Sequence, residues 1–158
     1  MTTYEQETGF AQDEIRIDEP TRAARLKWVV LVDATLPAGL AVNAAVCVAS
    51  ATTAGVGGLL GPGATDAAGS DHPGLPWAGC SVLGAKPEQL ATVRRKAAAA
   101  EGVFVADMPE AAQSTRVYAE YLDQVGTTAA EDLRYLAVSV VGPRNRVDKL
   151  VGRLPLLG

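Results

Sequence analysis

Large aromatic rings are scarce in this sequence: two Trp, four Tyr and two Phe make up 5% of its 158 residues. A core so poor in rings must pack small side chains closely, with Val and Leu supplying most of the buried area. Histidine is scarcer still, with His72 alone, and the two cysteines, Cys47 and Cys80, stand 33 positions apart. That set shows no metal-ligand spacing, so neither a metal nor a cofactor is expected. Two cysteines allow one bridge at most, and in a chain without export features they read as reduced thiols. A secretory leader is also missing. The opening MTTYEQETGF carries acids where a signal peptide needs bases followed by an apolar run, which points to a cytoplasmic protein.

Charge is absent from Ala34 to Thr65. Such a length could span a bilayer. However, Asn43, Ser50, Thr52, Thr53 and the run Gly55–Gly63 interrupt it, and the next base after it is Lys86. The stretch reads as a buried helix followed by a glycine loop, with no membrane span. What the chain does have is alanine, 28 residues of it, within a hydrophobic content of 48%. That is enough for one core at this length.

The formal net charge of −4 is unevenly spread. Residues 1–19 hold Glu5, Glu7, Asp13, Glu14, Asp18 and Glu19 against Arg16, whereas residues 20–158 carry 13 bases and 12 acids. The acidity therefore belongs to the first residues. Without apolar periodicity and ending at Pro20, residues 1–20 read as an acidic mobile segment, solubilising or partner-binding, ahead of a single α/β domain over 21–158. A domain balance of +1 neither demands nor excludes nucleic acid.

Within the domain, Trp28–Asp33 is an apolar run ending in an acid, as expected of a strand buried on both faces. Leu36-Pro37-Ala38-Gly39 turns into a helix over Leu40–Ala54, and the glycine run leads to a polar loop reaching Pro76. Further strands are expected over Trp77–Gly84, Val103–Asp107 and Leu133–Val141. Helices are expected over Pro87–Ala100, Pro109–Gln124 and from Pro143 to Leu150, with an extended tail over 152–157. Strands alternating with helices predict a layered domain with a mainly parallel sheet.

The glycine loop follows a helix and matches neither phosphate-binding glycine pattern, so a simple connection is the reading adopted. His72 beside Asp71 lacks a nucleophile partner and reads as solvated. Tyr118 and Tyr121, three apart, read as one helix face packed on the sheet. Asp33 and Asp107 each end a predicted strand. In open α/β sheets ligands bind beyond the carboxyl ends of the strands, so these acids either cap the following turn or line one cleft. Asn43 follows Asp33 on the next helix and Thr115 follows Asp107, which makes Asp33, Asn43, Asp107 and Thr115 the candidate pocket residues.

Lys27-Trp-Val-Val-Leu-Val-Asp33-Ala-Thr-Leu36-Pro-Ala-Gly39-Leu-Ala-Val-Asn43-Ala-Ala-Val-Cys47 resembles the opening strand and helix of type II peptidyl-tRNA hydrolases. Gly142-Pro143 and Val147–Leu157 resemble that family's terminal helix and Gly-x-Leu-x-Leu ending. The resemblance covers about 40 residues at the two ends of the chain. It implies a three-layer αβα sandwich with a four-stranded mixed sheet whose last strand runs antiparallel to the others, and a homodimer. The family's helix-turn lysines, one of them catalytic, are replaced by Leu40 and Val42, and its glutamine by Val46. Its strand-end Asp is matched by Asp107, but the Thr four residues on is Ala111. The overall pattern looks most like an uncharacterised bacterial branch sharing that fold.

Loss of a cation that would stabilise developing negative charge speaks against the family's reaction. Three functions follow. The favoured one is a non-catalytic domain binding a small polar ligand or a protein. The second is a divergent hydrolase of acyl esters or peptidyl-tRNA-like substrates, with Asp107 as base and Asn43 or Thr115 as oxyanion donor. The third is RNA binding without catalysis, through Arg94-Arg95-Lys96 or the bases at 144, 146, 149 and 153.

Overall fold

The computed structural model describes residues 8–158. Strand β1 (Leu26–Asp33) leads to α1 (Ala38–Gly55), and a small hairpin follows, β2 (Ala64–Thr65) with β3 (Asp71–His72). Next come β4 (Ser81–Ala85), α2 (Pro87–Ala99), β5 (Phe104–Pro109), α3 (Ala111–Ser114), α4 (Tyr118–Thr127), β6 (Tyr135–Pro143) and α5 (Arg144–Val151). The four longer strands form one sheet in the order β4-β1-β6-β5. β1 and β4 are parallel, while β6 runs antiparallel to both β1 and β5. The sheet is thus mixed, with the last strand inserted in its middle.

Alternation along β1 divides the core. Trp28, Val30 and Val32 point to one side, where Ala41, Ala44 and Val48 of α1 cover them. Val29 and Leu31 point to the other, against Leu90, Val93 and Ala97 of α2 and Val147 and Val151 of α5. Both faces of β1 and β6 are therefore dry along their middles, which is why Trp28–Val32 is an unbroken apolar run and Leu136–Val141 is broken only by Ser139. Small alanines fill the contacts of α1 and α2 with the sheet, as the shortage of rings requires.

One polar group crosses the α1 layer. Trp28 Nε1 donates to Ser139 Oγ at 2.8 Å, Ser139 Oγ and Thr52 Oγ1 lie 2.7 Å apart, and Thr52 Oγ1 donates to Val48 O at 2.6 Å. A chain running from indole through Ser139 and Thr52 to the carbonyl uses each proton once and leaves no buried donor unmet.

Several expectations are revised. Residues 1–7 of the segment read as mobile lie outside the described residues. Of the rest, residues 9–15 lie on the domain: Gly9 bridges to Gly57, the Phe10 amide donates to Gly57 O at 2.9 Å, and the Phe10 side chain is buried against Trp77. Arg25 secures this arm through Glu14, at 2.6 and 3.0 Å. An acidic composition hid Phe10 and Ile15, the large apolar residues that dock it. Trp77 itself is not in a strand, because its ring serves this packing and its Nε1 donates to Gly58 O; β4 starts only at Ser81. The helix predicted from Pro109 splits into α3 and α4 at Thr115–Val117, where hydroxyl and β-branched residues favour extended backbone. Tyr118 is exposed with its ring edge-on to the partly buried Tyr121, so Tyr118 does not pack on the sheet. His72, in contrast, is exposed as read, with its Nε2 3.2 Å from Asp66 Oδ2 across the hairpin.

Candidate functional site

Asp33 is the last residue of β1 and its side chain is fully buried. Its Oδ1 accepts from the Thr35 amide at 2.9 Å and the Thr35 hydroxyl at 2.6 Å, a turn-capping arrangement local in sequence. Its Oδ2 accepts from Arg134 at 3.0 Å. Burial pushes the carboxyl up, but the two Thr35 donors and the Arg134 guanidinium outweigh it and hold Asp33 below the ordinary carboxylate range. It is a structural anion, unsuited to taking a proton.

Asp107 departs from the expectation in position. β5 continues through Met108 to Pro109, so this acid sits within the strand rather than at its end. It pairs across β6 with Val138, which pairs in turn with Leu31. Asp107 therefore lies level with Leu31, two residues short of Asp33 and two strands away. Strand spacing and rise place the two backbones roughly 12 Å apart. Both acids face the α2 side, where Arg94 Nε donates to Asp107 at 3.1 Å and stacks its guanidinium 5.7 Å from the Tyr135 ring.

Asn43 stands on the other side of the sheet, on the exposed part of α1. Its Oδ1 accepts from Gln113 Nε2 at 3.2 Å, and the same nitrogen donates to Leu40 O at 3.0 Å, which ties α3 to the first turn of α1. The Thr115 hydroxyl is used by Ala111 O at 2.8 Å, closing the end of α3. The four predicted pocket residues are thus split between two layers, and each side chain makes at least one hydrogen bond within the fold. Leu40, Val42 and Val46, at the positions where the resembling family carries polar groups, are all exposed on α1.

Sequence reading missed Arg134, which joins Asp33 and also lies 3.4 Å from Glu110. The available signal was a base directly ahead of an apolar strand, poised to meet an acid at the end of its antiparallel neighbour. Among the described residues no three His, Cys, Asp or Glu side chains converge on a metal-sized space. Both cysteines are free and exposed.

No curated protein sequence matches the chain. A solved structure of a protein of unknown function from Agrobacterium tumefaciens strain C58 is similar in fold, with a TM-score of 0.78 at 17% identity, over 85% of this chain and 98% of that one. The likeness to peptidyl-tRNA hydrolases rests on the sequence segments alone. Residues 26–158 match the family described as "Protein of unknown function (DUF2000)", and with that span, from the first residue of β1 to the end, the chain belongs to this family.

Proposed function

We propose that this protein is a non-catalytic binding domain that pairs with a second copy of itself through the outward face of α1. The observation that carries the reading is the character of that helix. Among the described residues, α1 is the one helix long and apolar enough to cross a membrane by length and composition, yet it lies along the sheet with only Ala41, Ala44, Val48 and Thr52 buried. The side away from the sheet presents Val42 (61% exposed) and Val46 (57%), with Leu40 (46%) on its flank, and no charge among them. Exposed apolar groups concentrated on one element mark interaction surfaces. An uncharged face suits self-pairing, because two copies related by a two-fold axis bury no unpaired charge against each other. The pairing of Asp33 with Thr35 and Arg134, and of Asp107 with Arg94 through one oxygen, supports the non-catalytic half of the reading.

Sedimentation equilibrium tests this. The wild-type chain is expected at twice its 16.3 kDa mass, and Val42→Glu with Val46→Glu at the monomer mass with an unchanged melting temperature. A wild-type monomer at high micromolar concentration would sink the pairing. Co-sedimentation of that monomer with lipid vesicles would move the same face to a membrane surface.

A further inference from the structure

We propose a second binding site, for a dianionic phosphate group carried by a small molecule, at the end of the sheet remote from Asp33. Here β1 begins beside the end of β6, with Leu26 paired to Pro143, and a cleft of about 470 Å³ opens between this corner and the Trp77–Ser81 turn. Three cations line it, Arg22, Lys27 and Arg144, together with the Thr21 and Ser81 hydroxyls, and no carboxylate does. One counter-charge lies nearby: Asp148 pairs with Lys27 at 2.6 Å and is itself half-exposed. Arg22 and Arg144 form no ion pair among the described residues.

Arg144 adds an independent sign of a missing partner. One terminal nitrogen donates to Ala24 O at 3.2 Å, which fixes the guanidinium. Its Nε is the single buried side-chain polar atom without a hydrogen-bond partner among the described residues. That buried donor is itself out of a ligand's reach and leaves the guanidinium under-satisfied, while the second terminal nitrogen, which makes no hydrogen bond among the described residues, is left to receive an incoming oxyanion. Arg144 also opens α5, whose cap residue Pro143 supplies no side-chain acceptor, so the positive end of that helix adds to the same field.

The balance of charge selects the ligand. Three cations against one carboxylate leave an excess of two positive charges, which a phosphate monoester dianion matches. Two planar guanidinium forks suit its oxygens better than point charges alone. A neighbouring cleft, lined by Arg25, Glu101 and Arg146, does not share this character: Glu14 neutralises Arg25, and Arg146 donates to the Glu101 carbonyl. The basic residues therefore form a local pocket and not an extended stripe, which favours a small molecule over RNA. This site is independent of the α1 surface and takes a different class of ligand.

Isothermal titration at constant ionic strength, with inorganic phosphate and with adenosine 5′-monophosphate, tests the site. Both probes are expected to bind, with the dissociation constant raised about tenfold by Arg22→Ala and by Arg144→Gln, and unaltered by Arg95→Ala on the exposed side of α2. Tighter binding of the monoester assigns an esterified ligand; equal or weaker binding assigns free phosphate. Arg22 makes no hydrogen bond within the described fold, so its variant carries the test even if Arg144→Gln does not fold. Heat no greater than that of added chloride, or binding indifferent to Arg22→Ala, would overturn the proposal. So would a single-stranded 12-mer RNA that binds far more tightly than the monoester and loses affinity in Arg95→Ala as well, since that outcome describes a broad nucleic-acid surface.

Discussion

Arg134, directly ahead of β6, reaches across to the fully buried Asp33 at the end of β1 and donates to it at 3.0 Å. The pair clamps the two antiparallel central strands at one end of the sheet. Because one partner is half-exposed and the other is sealed, they contribute unequally. Removing the arginine strands a buried anion, whereas removing the acid leaves a cation free to turn to Glu110 and solvent.

Arg134→Met is therefore expected to cost about 2–3 kcal/mol, and Arg134→Lys less, because a lysine keeps the charge but not the fork. Urea unfolding at pH 7 checks this by a shift of the midpoint at unchanged slope. A shift below a few tenths of a kcal/mol for Arg134→Met would show that Thr35 alone satisfies Asp33.

Acid should release the N-terminal arm before the domain unfolds. The Arg25 guanidinium and the Ala11 amide hold the Glu14 carboxyl down at about 2, against an ordinary value of 4.5. A carboxylate lowered on folding stabilises in full above its unfolded value and loses that contribution as pH falls toward the folded one. The arm is expected to loosen between pH 4.5 and 2, read by the fluorescence of Trp77, whose ring lies 4.8 Å from that of Phe10. In Arg25→Gln the midpoint should move up toward the ordinary glutamate range. An unmoved midpoint would mean that Glu14 does not hold the arm.

Gly58 offers a second route to the same release. Its φ is +73°, and a Cβ there would lie 2.6 Å from Phe10 O and 2.9 Å from Phe10 Cβ. Gly58→Ala combines a strained backbone with a clash against the docked arm, at roughly 1–3 kcal/mol. Trypsin should then cut at Arg16 at least several-fold faster than in the wild type, while the core fragment persists. Equal cleavage rates would contradict the docked arm.

The buried relay from Trp28 to Val48 predicts an asymmetry. Ser139→Ala leaves the indole N–H without an acceptor and is expected to cost about 1–3 kcal/mol. Thr52→Val keeps the Trp28–Ser139 bond and should cost less. Thermal unfolding of the two variants decides it, and the reverse order would show that the helix-side hydroxyl anchors the network.

The strands and helices that bury two faces or one broad face were legible from composition. Val29–Val32, and Leu136–Val141 apart from Ser139, are apolar because both sides are covered, and Pro87 and Gly102 bracket α2. The fold's mixed sheet came from resemblance, since nothing in the residues of β6 states its direction. The site was less legible, for a geometric reason. Asp107 looks like a strand terminus because Met108-Pro109 resembles the start of a turn, yet β5 carries both residues before it ends. Asn43 follows Asp33 closely in sequence, but a helix crossing to the far side of the sheet separates them by a layer. Arg134 and Arg94, which decide what the two acids can do, are distant in the chain and carry no motif. The Phe10 anchor escaped notice because a single ring among acids gives no periodic signal.

The final residues of the described chain return to the sheet. Leu83 bridges to Leu156, the Gly84 amide donates to Pro155 O at 2.9 Å, and the Leu157 amide donates to Val82 O at 3.0 Å. β4 would otherwise be an outermost strand with its amides and carbonyls open to another chain, the usual starting point for unwanted sheet extension. The terminal segment takes up the Gly84 amide and the Val82 carbonyl through Pro155 and Leu157. The β4 edge is thus shielded against polymerising by residues 155–157, and association along that edge must use side chains rather than backbone.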